Sequence, residues 1–185
     1  MVEDKRRPIV LTDCREADRV RIVSQITLVG VPTYPRIWKD ETNRTGRLVH
    51  WRVQLGWLNR AGAGMAEGSI VLDTISSTDF VEIDVRSRTN LVSDKAGTYW
   101  AHAIPMVKGN LTVQHFIDLI QQNRRHHYSY DKNKSGCLFW SKTVMRDFAT
   151  NGWVKHEDVD AIDGVVDEAR KTEGYWVPKD EGRFL

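Results

Sequence analysis

Apolar and polar residues alternate through the first half of the chain and recur at helical spacing through the second. Val20, Ile22, Ser24, Ile26 and Leu28 alternate with Arg21, Val23, Gln25 and Thr27, a period near 2 rich in β-branched residues, which predicts a strand. Residues 30–46 hold Pro32, Pro35, Asn43 and several charges, the chemistry of a loop close to the length limit of compact domains. A second strand is predicted over 48–57, with Val49, Trp51, Val53 and Leu55 facing one way and His50, Arg52 and Gln54 the other. Residues 59–64, with Gly62 and Gly64, form a turn, and further strands are predicted over 69–75, 80–85 and 99–107, the last closed near Pro105.

After Gly109 and Asn110 the spacing changes. Val113, Phe116, Ile117 and Ile120 recur at i, i+3, i+4 and i+7 behind Thr112, a helix with its N-cap. Residues 123–134 are polar and turn-rich. Cys137 then opens a helix to about residue 150 with Trp140, Val144 and Phe148 on its apolar face, stopped by Asn151 and Gly152. A last helix over 157–173 carries Val159, Ile162, Val165, Val166 and Ala169 and ends near Gly174. Strands first and helices afterwards predict an α+β fold, an antiparallel sheet of about five strands with three helices packed on it. The 185 residues fit one domain over 1–185, with 1–18 and 175–185 as terminal arms.

Charge narrows the function. Lys and Arg number 27 against 25 Asp and Glu, a net charge of +2, too little basic excess for an obligate nucleic-acid binder. No apolar run approaches the ~20 residues of a membrane span, and no signal peptide is visible behind Met1. The chain reads as cytoplasmic, with its two cysteines, Cys14 and Cys137, reduced. No cofactor motif is present, since Gly62-x-Gly64 is too short for a phosphate loop.

Cys137 follows a polar turn in Lys134-Ser135-Gly136-Cys137-Leu138-Phe139-Trp140. A helix N-terminus favours negative charge, so a thiol placed there is pushed toward thiolate. His50, on the polar side of its strand, is the candidate base, and Asp73, on the neighbouring predicted strand, is the candidate to orient it. His102 is a rival base. Cys137 also shares the apolar stripe of Trp140 and Val144, which suits a structural cysteine equally well. Trp51, Trp57, Trp100, His102, Tyr128, Tyr130 and Trp140 are candidates to line a substrate pocket. Arg124 and Arg125 begin a basic stretch interleaved with aromatics, suited to an anionic group such as an acyl carrier or a tRNA end. Adjacent His126 and His127 point apart in an extended chain, and with His115 and Asp131 they do not compose a zinc site, so no metal is expected.

His50-Trp51 in a strand, a following hairpin strand and a cysteine opening a later helix resemble the circularly permuted papain-like superfamily, with lecithin:retinol acyltransferase-like enzymes the nearer pattern and NlpC-like peptidases more distant. The resemblance implies a papain-like permuted core with His50 as base, Asp73 in the orienting place and Cys137 as nucleophile. This chain departs from the pattern in having Gly136-Cys137-Leu138 where those enzymes usually show Asn-Cys and acidic residues, an aspartate for the usual second histidine, and no C-terminal anchor. A second resemblance, to small uncharacterised fungal proteins with a Tyr-rich segment before Gly-Cys-x-Phe-Trp, implies no activity. The expected function is cysteine-dependent acyl transfer or amide or ester hydrolysis on a small-molecule or acyl-carrier substrate. The alternatives are a non-catalytic domain of the same fold that binds a small molecule or a protein, and, behind it, an RNA-binding protein.

Overall fold

A computed structural model describes residues 9–39, 45–57, 67–76, 81–89, 100–131, 135–179 and 182–185. Five strands lie side by side in the order β4-β3-β2-β1-β5: β1 (Gln25–Lys39), β2 (Thr45–Trp57), β3 (Gly68–Ser76), β4 (Val81–Arg88) and β5 (Trp100–Pro105). All their mutual pairings are antiparallel. The helices are α1 (Glu16–Arg19), α2 (Val113–Gln122), α3 (Cys137–Thr150), α4 (His156–Asp160) and α5 (Ile162–Lys171). Two-residue strands complete the fold: β6 (Tyr128–Ser129), β7 (Tyr175–Trp176), which joins β2 in parallel and makes the sheet six-stranded, and β8 (Arg183–Phe184), which pairs with β6. The architecture is α+β. Among the described residues no helix is long and apolar enough to cross a membrane.

The alternation read in β2 is followed by burial from Val49 to Val53, with His50 and Arg52 half-buried between enclosed neighbours, but Gln54 is buried as well. Val49, Trp51, Val53 and Leu55 are fully enclosed, and Ile70, Leu72, Ile83 and Val85 join them in one core with Phe116, Ile120, Trp140, Val144 and Phe148 of the helices. Burying this apolar surface is the main force holding α2 and α3 to the sheet. Gly30 lies against the Trp51 ring, and a Cβ there would meet its carbons at 2.9 Å.

Three expectations need correcting. The strand read over 20–28 begins only at Gln25, and Val20 and Ile22 are exposed. The loop expected over 30–46 is instead mostly strand: β1 continues to Lys39, with a register irregularity between Pro32 and Ile37. Among the described residues the β1–β5 pairing ends at Gly30, and edge stretches and bulges are where a strand tolerates proline. The single helix expected over 157–173 is two, α4 and α5, separated at Ala161. The turn expected over 59–64 lies outside the described residues.

The described residues of both terminal segments pack on the body. Val10 bridges Asp84 on β4, while Ile9 and Cys14 are buried. At the other end β7 and β8 pair with β2 and β6.

Candidate active site

One edge of β2 has three successive neighbours. β3 pairs with it from Val53 to Trp57, and β7 pairs with it at Arg47 and Leu48. Between them the Trp51 backbone N–H donates to Cys137 Sγ at 3.4 Å. The start of α3 therefore enters where β2 and β3 part, and a main-chain donor that a continuous sheet would use in its ladder meets the sulfur instead.

His50 sits one residue before Trp51, on the opposite face. Its Nε2 lies 2.5 Å from Asp73 Oδ1. Extending the β2–β3 register places these two residues diagonally on one face, within reach of long side chains. Asp73 is nearly enclosed, and its second oxygen accepts from Arg86 Nη2 at 3.0 Å. Arg86 Nε in turn is paired with Asp84 at 2.6 Å, so a chain of alternating charge runs from His50 across β3 to β4. The Cys137 side chain lies near enough to the imidazole for its polarity and charge to act on the ring. With Nε2 taken by Asp73, Nδ1 is the ring atom left for the thiol.

The electrostatics follow this geometry. Burial disfavours an imidazolium at His50, but the charge of the Cys137 thiolate, the bond to Asp73 and the polarity of the Cys137 side chain outweigh it and push the pKa up to about 10. Burial likewise opposes ionisation of Asp73, yet the His50 bond and charge, then Arg52 and Arg86, hold its carboxyl below the usual range. The Tyr130 phenol is held well above its ordinary range, first by burial and then by the Cys137 charge, so it stays neutral.

The helix start is built for this position. Gly136 has φ +138, and a Cβ on it would lie 2.5 Å from the Tyr128 hydroxyl; glycine alone takes such a backbone without strain. Tyr128 OH donates to the Gly136 carbonyl at 2.8 Å. The N-cap of α3 is Gly136, which has no side chain to accept from the first turn, so among the described residues the Cys137 N–H has no side-chain cap.

Cys137 and His50 open onto a cavity of about 260 Å³. Leu48, Ile75 and Pro178 supply apolar wall, and Thr33, Thr74, Ser76, Tyr130 and Ser135 supply polar wall. Tyr130 OH donates to the Thr74 carbonyl at 2.7 Å, which fixes the ring in place.

The other candidates fall elsewhere. Trp51 and Trp140 are fully buried and Trp57 nearly so, all in the core, because alternation along β2 and the inward stripe of α3 turn them away from the cavity. Trp100 packs edge-on against Tyr175 at 4.9 Å. His102 is not the base at this site: it lies on β5, at the far edge of the sheet, and its Nε2 meets the Asp158 carbonyl at 3.1 Å. Tyr128 supports the helix start and is not part of the cavity wall. Arg125 is committed to Asp147 by two bonds of 2.6 and 2.9 Å and lies over the Phe184 ring, which removes it as an anion site. Arg124 has φ 55 just past α2, where the Arg124 and Arg125 amides bond back to Gln121 and Ile120 and close the helix. His115 Nδ1 accepts from the Thr112 N–H at 3.1 Å, a cap on α2. No group of three metal-ligating side chains occurs among the described residues.

Several participants had no signature in the sequence. The Trp51 amide is main chain, and Pro178 arrives from the far end of the chain. Arg86 alone was findable, as a cation facing Asp73 once the β3–β4 hairpin is drawn.

Residues 36–185, which include His50, Asp73 and Cys137, match a family described as a domain of unknown function, DUF7770. The match spans most of the chain, which belongs to that family. No curated protein and no solved structure matches it.

Proposed function

We propose that this protein is a thiol enzyme that transfers an acyl group or hydrolyses an amide or ester, with Cys137 as nucleophile, His50 as base and then acid, and Asp73 orienting His50. The observation that carries the reading is the line Asp73–His50–Cys137: a carboxylate 2.5 Å from one imidazole nitrogen, and a thiol that lines the same cavity as the ring and acts on it electrostatically. The order of base strand, orienting strand and nucleophile helix also agrees with a permuted papain-like core, which is part of the proposal.

The chemistry follows from the groups. His50 holds the thiol proton as imidazolium, and the Trp51 N–H stabilises the thiolate it leaves. The sulfur lone pair forms a C–S bond to the substrate carbonyl while the π pair moves onto oxygen, facing the N–H groups at the α3 start. Collapse restores the carbonyl and breaks the bond to the leaving group, which takes the His50 proton. Neutral His50 then removes a proton from water or an acceptor alcohol or amine, whose attack breaks the C–S bond and regenerates thiolate and imidazolium. Asp73 keeps the ring in the orientation both halves need.

An activated ester tests this. Incubation with p-nitrophenyl acetate followed by mass spectrometry should find one acetyl group on Cys137, absent from Cys137→Ala. An unmodified Cys137, or acetyl on Cys14 instead, would end the proposal.

A further inference from the structure

We infer that the Ser135 hydroxyl is a second donor to the substrate oxyanion, beside the Cys137 backbone N–H. This rests on the thiol reading above and adds the group that separates acyl chemistry from simple thiol reactivity.

Ser135 is 5% exposed, and its Oγ is shut from bulk water with no hydrogen-bond partner among the described residues. Buried hydroxyls are normally satisfied, so one left without a partner asks for a cause. The residue forms part of the cavity wall together with His50 and Cys137. Its main chain is fixed from both sides, since its N–H donates to Asp131 Oδ1 at 2.6 Å and its carbonyl accepts from the Asp131 N–H at 3.0 Å. The Tyr128 bond to the next carbonyl pins Gly136 as well. What remains free is the side-chain torsion, and a serine hydroxyl passes between staggered wells by rotation about one bond. Engaging an oxygen in the cavity therefore needs no movement of the backbone.

The partner that answers this hydroxyl is the oxygen that becomes negative during acylation. When the Cys137 sulfur bonds to the carbonyl carbon, the π pair moves to that oxygen, and two donors meet it: the uncapped Cys137 N–H and Ser135 O–H. Neither gives up its proton. Both are relieved when the carbonyl re-forms and the leaving group departs. Donors fixed in advance, aimed at charge present only in the transition state, accelerate the chemical step rather than binding.

Two reagents for one sulfur make the test. Iodoacetamide alkylates a thiolate by displacement of iodide and develops no oxyanion; p-nitrophenyl acetate acylates it through one. In the full chain carrying Cys14→Ala, Ser135→Ala should slow release of p-nitrophenolate by about a hundredfold, the scale of losing one preorganised donor. Iodoacetamide alkylation of Cys137 should stay within about twofold. The melting temperature should be no lower than the parent's, because the deleted hydroxyl has no partner to lose. If both reactions are unchanged, Ser135 is not a donor, and the thiol reading stands without it. If both slow together, the hydroxyl acts on the thiolate, and the inference is overturned. If the parent's Cys137 reacts with iodoacetamide no faster than a free thiol, the thiol reading itself has failed and this inference with it.

Discussion

Cys14 and Cys137 are equally enclosed, 7% exposed each, and both are free thiols. Their surroundings differ in everything else. Cys14 precedes the four-residue α1, and its thiol makes a 4.0 Å contact to the Arg15 carbonyl. Burial pushes its thiol up, and the bond to Arg19 offsets only part of that. Cys137 opens a fourteen-residue helix, receives a backbone N–H, shares a cavity wall with a histidine braced by a buried carboxylate, and acts on that ring electrostatically. Burial alone makes a cysteine inert; what surrounds the sulfur decides whether it is a nucleophile.

The sharpest way to break this contrast is to delete each thiol. Cys137→Ala should lower ester turnover by about 10⁴-fold or more while the melting temperature stays near the parent's. Cys14→Ala should leave turnover intact and cost about 1–2 kcal/mol of stability in denaturant unfolding, as loss of a small buried group does. The reverse assignment of effects would make Cys137 the structural residue. Next in size, His50→Ala should slow acylation about 10³-fold, the middle of the range for a general base. Asp73→Asn should slow acylation as well, because the ring loses its orienting charge while the amide keeps a similar shape. Stopped-flow release of p-nitrophenolate measures both.

Smaller effects concern stability. Gly136→Ala forces a Cβ toward the Tyr128 hydroxyl from a backbone at φ +138, and should destabilise by about 1–3 kcal/mol. Tyr128→Phe should cost about 1 kcal/mol for one lost bond. Urea midpoints for the two variants check both values, and a Gly136→Ala midpoint equal to the parent's would show that the helix start is not held as described. Stability should also follow the protonation of His50. Its pKa rises from 6.5 to about 10 on folding, so its contribution is complete below about pH 6.5 and is lost as pH rises through 10. The Asp73 carboxyl, held low, contributes with the opposite sign, fading as pH falls into the acid range. A urea midpoint that falls between pH 7 and 10 in the parent, and less in His50→Gln, is the expected result.

Much of this arrangement was legible in the chain. Alternation in 48–57 separated His50 from the core face, and the switch to helical spacing placed Cys137 at a helix start. The same alternation also excluded Trp51 from the face that His50 occupies, although aromatic character alone suggested a pocket residue. Pro32 and Pro35 concealed the outer half of β1, because proline signals a loop unless an edge or a bulge accepts it. The cavity was invisible for a different reason. Its walls come from Thr33, Ile75, Ser135 and Pro178, which no local pattern brings together, and its sulfur is met by a main-chain amide that has no signature in sequence.

The most direct measurement is the alkylation rate of Cys137 against pH in a Cys14→Ala background, with and without His50→Ala. An ion pair with His50 requires a fast rate that is nearly flat from pH 6 to about pH 8, and a slow one in the histidine variant that climbs about tenfold per pH unit, as for a free thiol of pKa about 8.5. A slow, steeply climbing rate in both proteins would contradict it and leave Cys137 as a core cysteine beside a histidine it does not use.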